Sequence, residues 1–320
     1  MKLFSFCLLA TFALSLAGCA SKNPGSVQDR KTHFIQGSSH NKLEILDWGG
    51  EGSAMLFLAG MGNTAHVFQE FAPRFTDKFH VLGLTRRGFG RSDQPKLYDI
   101  DVLTGDILAV LDSLKIEKVI LVGHSVAGEE ITKFVGLYPE RVEKIVYIDA
   151  AYDRTGSDSL FAEAPAPPQQ TIEDSASIEN LQRYYSAVNG IILPEEEIRE
   201  ISLFSKEGRY LGDKTGGEVF GEIIKGTIKP EYDKIKCPAL AIYSVNDSAK
   251  ELLPYYDKLD SNNASKADKL FDIFSRLGAA ERDKFKTEVA NSRVEVIKGG
   301  NHYLFISHPS EVEKMMRKFL

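Results

Sequence analysis

The sequence predicts an α/β fold in which a mostly parallel sheet is flanked by helices. Short apolar runs suited to buried strands alternate with segments of helical periodicity along most of the 320 residues. One of these runs leads through a glycine-flanked serine turn directly into a helical segment. The chain is 43% hydrophobic, which is enough to build one large domain with a sizeable core, or two small ones.

Residues 1–18 have the pattern of a signal peptide. One positive charge, Lys2, precedes an apolar stretch that is short for a membrane span of about 20 residues. The stretch ends in Leu-Ala-Gly before Cys19, which resembles the lipobox of bacterial lipoproteins. This resemblance implies cleavage before Cys19 and acylation of its thiol, with residues 19–31 as a lipidated N-terminus and linker. The alternatives are an uncleaved signal anchor and an ordinary signal peptide with a coincidental cysteine.

The lipoprotein prediction also gives a location, which is the cell envelope. No aspartate directly follows Cys19. By resemblance to the sorting rules of Gram-negative bacteria, this favours the outer membrane if the organism has one.

The folded domain is predicted to open with two antiparallel strands joined by a turn, followed by alternating strands and helices. The strands are expected at residues 32–36, 42–47, 54–58 and 80–84. Helical periodicity predicts helices at residues 67–75 and 102–114. In the second of these helices, Asp106 and Asp112 are expected on the polar side.

The central motif is the turn at residues 123–128, which reads Gly-His-Ser-Val-Ala-Gly. It follows an apolar strand and precedes a helix, and Ser125 is at its apex. Strand, sharp turn and helix with an apical serine is the context that a nucleophile elbow needs. Glycines suit such a turn because its backbone is strained. Ala127 stands where the Gly-x-Ser-x-Gly pattern has its last glycine, and alanine is small enough for the same packing.

The second half of the chain continues the pattern but contains one long insertion. Strands are predicted at residues 144–148, 239–244 and 293–297, and helical segments at 264–290 and 310–319, the latter with Ser310 as N-cap. Residues of about 154–229 contain no convincing buried strand, and helices are expected within them at 178–188 and 194–205. We interpret this insertion as a helical lid over the site.

Composition excludes several classes of function. The formal charge of −6 argues against a nucleic-acid partner, which would require a basic face. The sequence has no Cys-x-x-Cys and no His-Glu-x-x-His, so no metal site is predicted. Two of the three cysteines, Cys7 and Cys19, lie in the N-terminal segment and leave only Cys237 in the domain, so no disulfide framework is expected there.

Over residues 32–320 the chain resembles α/β-hydrolase fold enzymes of the single-domain esterase and lipase-like type. The resemblance rests on the serine turn and on three further motifs, which are Ala-Gly-Met-Gly at 59–62, Arg-Gly-Phe-Gly-Arg-Ser at 87–92 and Gly-Asn-His at 300–302. In this family the catalytic residues follow the chain order serine, acid, histidine. The order implies Ser125 as nucleophile, Asp247 as acid and His302 as base.

Two other acids compete with Asp247. Asp149 directly follows a predicted strand, where some relatives carry the acid, and Asp153 is a more distant choice. Asp247 itself lies in an Asn-Asp-Ser sequence that is also good turn chemistry. The resemblance further implies that the backbone N–H groups of Met61 and Val126 form an oxyanion hole. The family usually has His-Gly where this chain has Ala59 and Gly60.

The resemblance implies a serine hydrolase that cleaves a carboxylic ester or a related acyl bond through an acyl-enzyme. The predicted partners are a small-molecule substrate and a membrane contacted through the lipid anchor, with no cofactor and no metal. Aminopeptidase activity, cofactor-free perhydrolysis and a non-catalytic binding protein remain as alternatives. The acidic cluster at Glu195, Glu196, Glu197 and Glu200 could hold a substrate amine or could be a solvated helix face.

Overall fold

A computed structural model describes residues 30–155 and 164–320. The predicted signal peptide, Cys19 and nearly all of the predicted linker lie outside the described residues. None of the helices within the described ranges is long and apolar enough to cross a membrane.

The described residues form ten strands, eight of which make one sheet in the order β1-β2-β4-β3-β5-β6-β9-β10. The two opening strands are antiparallel to each other, and β2 is antiparallel to β4; the other neighbours in the sheet are parallel. The strands are β1 Lys31–Gln36, β2 Lys42–Gly49, β3 Ala54–Leu58, β4 His80–Thr85, β5 Val119–His124, β6 Val142–Ile148, β7 Ser202–Phe204, β8 Tyr210–Asp213, β9 Ala239–Val245 and β10 Ser292–Lys298.

Nine α-helices lie within the same ranges. They are α1 Ile100–Ser113, α2 Ala127–Leu137, α3 Ile178–Asn189, α4 Glu195–Ile201, α5 Gly217–Lys225, α6 Ala249–Leu252, α7 Ser261–Glu288, α8 Leu304–Ser307 and α9 Pro309–Phe319. Their boundaries follow local capping chemistry. The side chain of Asp99 caps α1 and that of Ser177 caps α3, which ends at Gly190 with a φ of +70°.

Strand β5 is the centre of the sheet, and all six of its residues are buried. Because side chains alternate along a strand, its residues contribute to two apolar layers. Leu121 packs in the same layer as Phe134 of α2, whereas Val122 packs in the layer that contains Phe68 and Phe305. The sheet is therefore covered on both faces, which confirms the predicted fold class.

The prediction of a helix at residues 67–75 is wrong. Two short 3₁₀ turns, Ala65–Phe68 and Ala72–Phe75, occupy this region. Pro73 has no backbone N–H, so it cannot donate to the carbonyl four residues earlier and a continuous α-helix is interrupted.

Two further local predictions fail, the first because of a distant partner and the second because of a neighbouring proline. Asp106 lies on α1 as expected, but it is buried and pairs with Arg87 at 2.6 Å, and is not on a solvated face. The last helix begins at Pro309, with His308 at the N-cap position and no side-chain capping bond. Ser310 is therefore inside the first turn. Proline suits this place since its missing N–H would be unpaired in any case.

Between β6 and β9, the described residues of the predicted lid add no strand to the central sheet. They form α3, α4, α5 and a two-stranded antiparallel hairpin made of β7 and β8. The helix expected at residues 194–205 ends at Ile201, where the chain enters β7. The prediction missed the hairpin because its strands are only three and four residues long.

Candidate active site

Ser125 lies at the sharp turn between β5 and α2, where the sequence places a nucleophile. Its φ of +55° is unusual for a residue with a side chain, and such strain is typical of functional turns. The side chain is half-buried. Helix α2 starts two residues later, so the positive end of its dipole is directed toward the serine.

Glycines allow other parts of the chain to approach this turn closely. A Cβ atom on Gly60 would lie 3.1 Å from the Cβ of Ser125 and 2.8 Å from Nδ1 of His124. A Cβ atom on Gly128 would lie 2.0 Å from the main-chain oxygen of Ala150. The first contact brings the loop after β3 against the serine, and the second lets α2 pack against the chain that leaves β6.

His302 is held by Asp149. Nδ1 of the imidazole lies 2.7 Å from Oδ2 of Asp149. The ring of His302 is also 4.7 Å, centroid to centroid, from the ring of His124, the residue that precedes Ser125. The side chain of His302 is 46% exposed, so a substrate or water can reach it.

The carboxylate of Asp149 is buried and fully engaged. Oδ1 accepts hydrogen bonds from the hydroxyl of Tyr152 at 2.6 Å and from the N–H of Ser244 at 2.9 Å. Asp149 directly follows β6 and has a φ of +48°. This conformation turns the chain sharply at the edge of the sheet where β5 also ends.

Asp247, our first choice for the acid, does not contact His302. Its side chain is exposed, and its N–H donates to a carboxylate oxygen of Glu251 at 2.9 Å. The turn interpretation describes this position better than the catalytic one. Asp153, the third choice, pairs with Lys284 at 3.4 Å. The structure therefore brings Asp149, the second choice, to the histidine.

His124 supports the main chain at His302. It is buried, and its Nε2–H donates to the carbonyl oxygen of His302 at 3.1 Å. Burial and the neighbouring His302 keep the pKa of His124 well below its ordinary value. A neutral imidazole with its proton on Nε2 fits this hydrogen bond, so His124 is a structural residue in the site.

The two backbone N–H groups predicted as oxyanion donors have no partner in the part of the fold that the structure describes. Within the described residues, the N–H groups of Met61 and Val126 donate to no intramolecular acceptor. Val126 lies at the start of α2, and Met61 lies in the loop that Gly60 brings against Ser125. Two unpaired amides beside a serine can stabilise negative charge that develops on a substrate oxygen.

An apolar wall adjoins these amides, and the sequence did not predict it. Val219 and Ile223 of α5 are buried in one cluster with Val126, and Met61 and Phe220 pack against it. Three apolar residues of the lid thus pack together with Val126 and Met61. Their spacing along α5 fits one helix face, which was the available sequence signal.

A second lid helix, α4, is tied to the loop that follows Met61. The buried carboxylate of Glu197 accepts hydrogen bonds from Asn63 Nδ2 at 2.9 Å and from the N–H of Thr64 at 2.9 Å. Asn63 in turn accepts from the hydroxyl of Tyr303, next to His302, at 3.1 Å. Burial, opposed by the hydrogen bonds from Thr64 and Asn63, raises the pKa of Glu197 to about 7.

A buried histidine also anchors α4 to the sheet. His66 lies between Glu44 of β2 and Glu196 of α4, with ring nitrogens 3.3 Å and 3.0 Å from the carboxylates. Burial alone lowers the pKa of His66, but the carboxylates of Glu196 and Glu44 outweigh it and raise the pKa to about 9. The imidazole is therefore charged at neutral pH.

The acidic cluster on α4 is a solvated face only at Glu195, and its carboxylates are not unpaired. Each of the four glutamates has a partner within the protein. Glu195 pairs with Arg199, and Glu196 pairs with Arg30 and His66. Glu197 accepts hydrogen bonds from Asn63 and Thr64, and Glu200 pairs with Arg91 and Lys214. Two of the four glutamates are buried. In the part of the chain that the structure describes, no group of three His, Cys, Asp or Glu side chains could hold a metal ion.

The sheet order and the strand–turn–helix setting of Ser125 together define a protein of the α/β-hydrolase fold. A family model described as the alpha/beta hydrolase fold matches residues 53–207. The chain is also similar to a solved structure of E-2-(acetamidomethylene)succinate hydrolase, with a TM-score of 0.65 and 19% identity over 91% of this chain and 98% of that chain.

Two curated relatives show local sequence similarity. Epoxide hydrolase 1 of Caenorhabditis elegans is 32% identical over 119 residues, which are 36% of this chain and 27% of that protein. The 2-(acetamidomethylene)succinate hydrolase of Mesorhizobium japonicum is 32% identical over 133 residues, which are 41% of this chain and 48% of that protein. The chain thus spans about a quarter and about a half of the length of these relatives.

Proposed function

We propose that the protein is a serine hydrolase that cleaves a carboxylic ester or a related acyl bond, with Ser125 as nucleophile, His302 as base and Asp149 as acid. The observation that carries the proposal is the contact between His302 Nδ1 and Asp149, formed beside the turn that presents Ser125. A serine hydroxyl is a poor nucleophile until a base removes its proton, and an imidazole held by a carboxylate is suited to that task.

In the proposed reaction, Oγ of Ser125 attacks the acyl carbon while its proton passes to Nε2 of His302. The carbonyl π electrons move to oxygen, and the oxyanion accepts hydrogen bonds from the N–H groups of Met61 and Val126. Collapse breaks the bond to the leaving group, which takes the proton from His302. A water molecule then attacks the acyl-enzyme by the same route and regenerates Ser125.

The substrate class follows from the surroundings of Ser125. Phe220, the partly exposed member of the apolar wall, suits an uncharged acyl or alkyl group, and the buried Val219 and Ile223 support it from behind. The four glutamates of α4 are already bound by partners in the protein, which disfavours recognition of a substrate amine and hence the aminopeptidase alternative. The relative from Mesorhizobium japonicum is itself named a hydrolase.

A fluorophosphonate probe tests the proposal directly. We expect the folded wild-type protein to be labelled and the adduct to map to Ser125 by peptide mass spectrometry, while Ser125→Ala is not labelled. A folded wild-type protein that stays unlabelled would contradict the proposal and favour a binding protein. Chromogenic esters of increasing acyl length then define the acyl preference, and a separate assay that detects peracid in the presence of hydrogen peroxide measures perhydrolysis.

We also propose that the protein is attached to the cell envelope by acylation of Cys19, at the outer membrane if the organism is Gram-negative. The proposal rests on the lipobox-like sequence alone. It is independent of the catalytic proposal, since Cys19 lies outside the hydrolase domain predicted at residues 32–320.

A further inference from the structure

Arg86 connects the two parts of the chain that supply the amide donors beside Ser125. It follows β4 and is buried, with 5% exposure. Its Nη1 donates to the carbonyl of Gly60 at 3.2 Å and its Nη2 to the carbonyl of Ala59 at 2.7 Å. Its Nε donates to Glu130 of α2 at 2.6 Å. One guanidinium therefore joins the loop after β3 to the helix that follows the serine.

The carbonyl of Gly60 and the N–H of Met61 belong to the same peptide group. A peptide group is planar and trans, so its C=O and N–H point in opposite directions. A donor that holds the Gly60 oxygen therefore also fixes the direction of the Met61 N–H. The N–H of Asn63 reaches the same oxygen at 3.3 Å, so the peptide is held by two donors, one of them charged.

The second amide donor needs no such support. The peptide of Val126 has its carbonyl on Ser125, and that oxygen accepts from the N–H of Gly128 at 2.9 Å as α2 begins. Helical hydrogen bonding thus orients the Val126 N–H. Met61 lies in a loop without a helix, and the guanidinium of Arg86 supplies the corresponding constraint from the side.

We propose that Arg86 is a positioning residue, which fixes the Met61 N–H toward the oxyanion through the carbonyl of Gly60. This inference rests on the proposed function, because it assigns a task within that reaction. The positive charge of Arg86 is compensated by Glu130, with 2.5 Å between Nη2 and Oε1. Arg86 therefore contributes by orienting the Met61 N–H more than through the long-range electric field of its charge.

Two variants separate the orienting role of Arg86 from its role in the stability of the fold. Arg86→Lys keeps the charge but loses the planar fork that reaches two carbonyls and a carboxylate together. The double variant Arg86→Leu, Glu130→Leu removes the pair as a whole and leaves no buried charge uncompensated. Arg91 provides the control, since it lies on the same loop but pairs with Glu200 and Glu44, away from residues 59–61.

The first measurement is the steady-state hydrolysis of a chromogenic ester by folded protein. For both Arg86 variants we expect kcat to fall by about 10–100-fold, less than for complete loss of an oxyanion donor, with KM changed by less than about threefold. Affinity for a trifluoromethyl ketone, which forms a tetrahedral adduct, should fall in parallel. Arg91→Lys and Arg91→Leu should leave all three values close to wild type.

The second measurement does not depend on activity. The sequence has five methionines, so a full-length sample labelled with ¹⁵N-methionine gives a sparse amide spectrum in which Met61→Leu assigns the Met61 signal. We expect that signal to shift in both Arg86 variants and not in the Arg91 variants, because an amide nitrogen responds to the hydrogen bond on its own peptide carbonyl. The signals of Met315 and Met316 should stay in place.

The outcomes are distinguishable. If wild type shows no Ser125-dependent turnover, the proposed function fails, and the spectrum still decides whether Arg86 holds the Met61 peptide. An unchanged Met61 signal in folded Arg86 variants overturns the inference, even if kcat falls. A shifted Met61 signal together with a wild-type kcat, in an enzyme that turns over, also overturns the inference.

Discussion

Oδ2 of Asp149 lies 2.7 Å from Nδ1 of His302, although 153 positions separate the two residues in the sequence. A carboxylate oxygen can only accept, so this contact places a proton on Nδ1 and leaves Nε2 as an acceptor. Asp149 and Ser125 leave adjacent parallel strands, and both have a positive φ. Asp149 and Ser125 are thus set by two similar turns at one edge of the sheet.

The first prediction distinguishes the two candidate acids. We expect Asp149→Asn to lower kcat for a chromogenic ester by about 10³–10⁴-fold, because an amide can no longer favour the tautomer with a proton on Nδ1. Asp247→Asn is the matched control and should stay within about twofold of wild type. Thermal unfolding of both variants checks that the fold is kept. A large loss in Asp247→Asn with normal activity in Asp149→Asn would reverse our assignment.

The second prediction concerns the packing of α2 against the chain after β6. Gly128→Ala should destabilise the protein by at least about 2 kcal/mol, since the new Cβ would lie 2.0 Å from the main-chain oxygen of Ala150. Gly221→Ala, in the open interior of α5, should instead stabilise by about 0.5–1 kcal/mol, since no atom lies within 4 Å of its Cβ position. Urea unfolding measures both, and equal effects at the two sites would contradict the predicted packing.

The third prediction is a pH dependence of stability caused by His66. Its pKa is raised from 6.5 to about 9 in the folded protein, so the folded state holds the proton more tightly than the unfolded state. The resulting stabilisation is fully present below pH 6.5 and is lost as pH rises to about 9. Linkage sets its size at up to about 3 kcal/mol.

His66→Gln provides the comparison for this pH effect. Urea unfolding at pH 6.5 and pH 9 should show a larger loss of stability in wild type than in the variant. The variant should also be less stable than wild type at pH 6.5, because the carboxylates of Glu44 and Glu196 then each lose one of their charged partners. Identical losses in the two proteins would show that His66 is not charged in the fold.

The fourth prediction tests the lipid anchor. In a bacterial host with a lipoprotein pathway, the wild-type protein should incorporate labelled palmitate and sediment with membranes. Cys19→Ser should do neither, because the predicted acyl acceptor is gone. Cys7→Ser lies within the predicted signal peptide and should behave as wild type. Equal palmitate labelling of all three proteins would exclude acylation at Cys19.

Sequence patterns predicted the sheet well because the signal was local and strong. Strand β5 is a continuous apolar run between turn residues, and the glycines around Ser125 predict the strained turn that follows. The same patterns could place His302 just after the last strand. Each of these features depends on neighbouring residues alone, and each lies where the sequence indicated.

Features that depend on distant partners could not be predicted in this way. Asp149 and Asp247 both follow strands, and only the position of Tyr152 and of the Ser244 N–H shows which carboxylate is buried and held. Likewise, Asp106 appeared polar on a helix face, whereas Arg87 draws it into the core. The role inferred for Arg86 required the positions of Gly60 and Glu130, which belong to two other elements.

With Asp149 as the proposed acid, the end of β9 need not supply a catalytic carboxylate. Strand β9 contacts Asp149 through main-chain groups, since the N–H of Ser244 donates to its carboxylate and the carbonyl of Ile242 accepts from its N–H. A main-chain donor like that of Ser244 is common to every residue except proline. Under that proposed assignment, the loop that carries Asp247 takes no part in the chemistry. Its sequence is open to change, and protein engineers could use it as an insertion point close to the reactive centre.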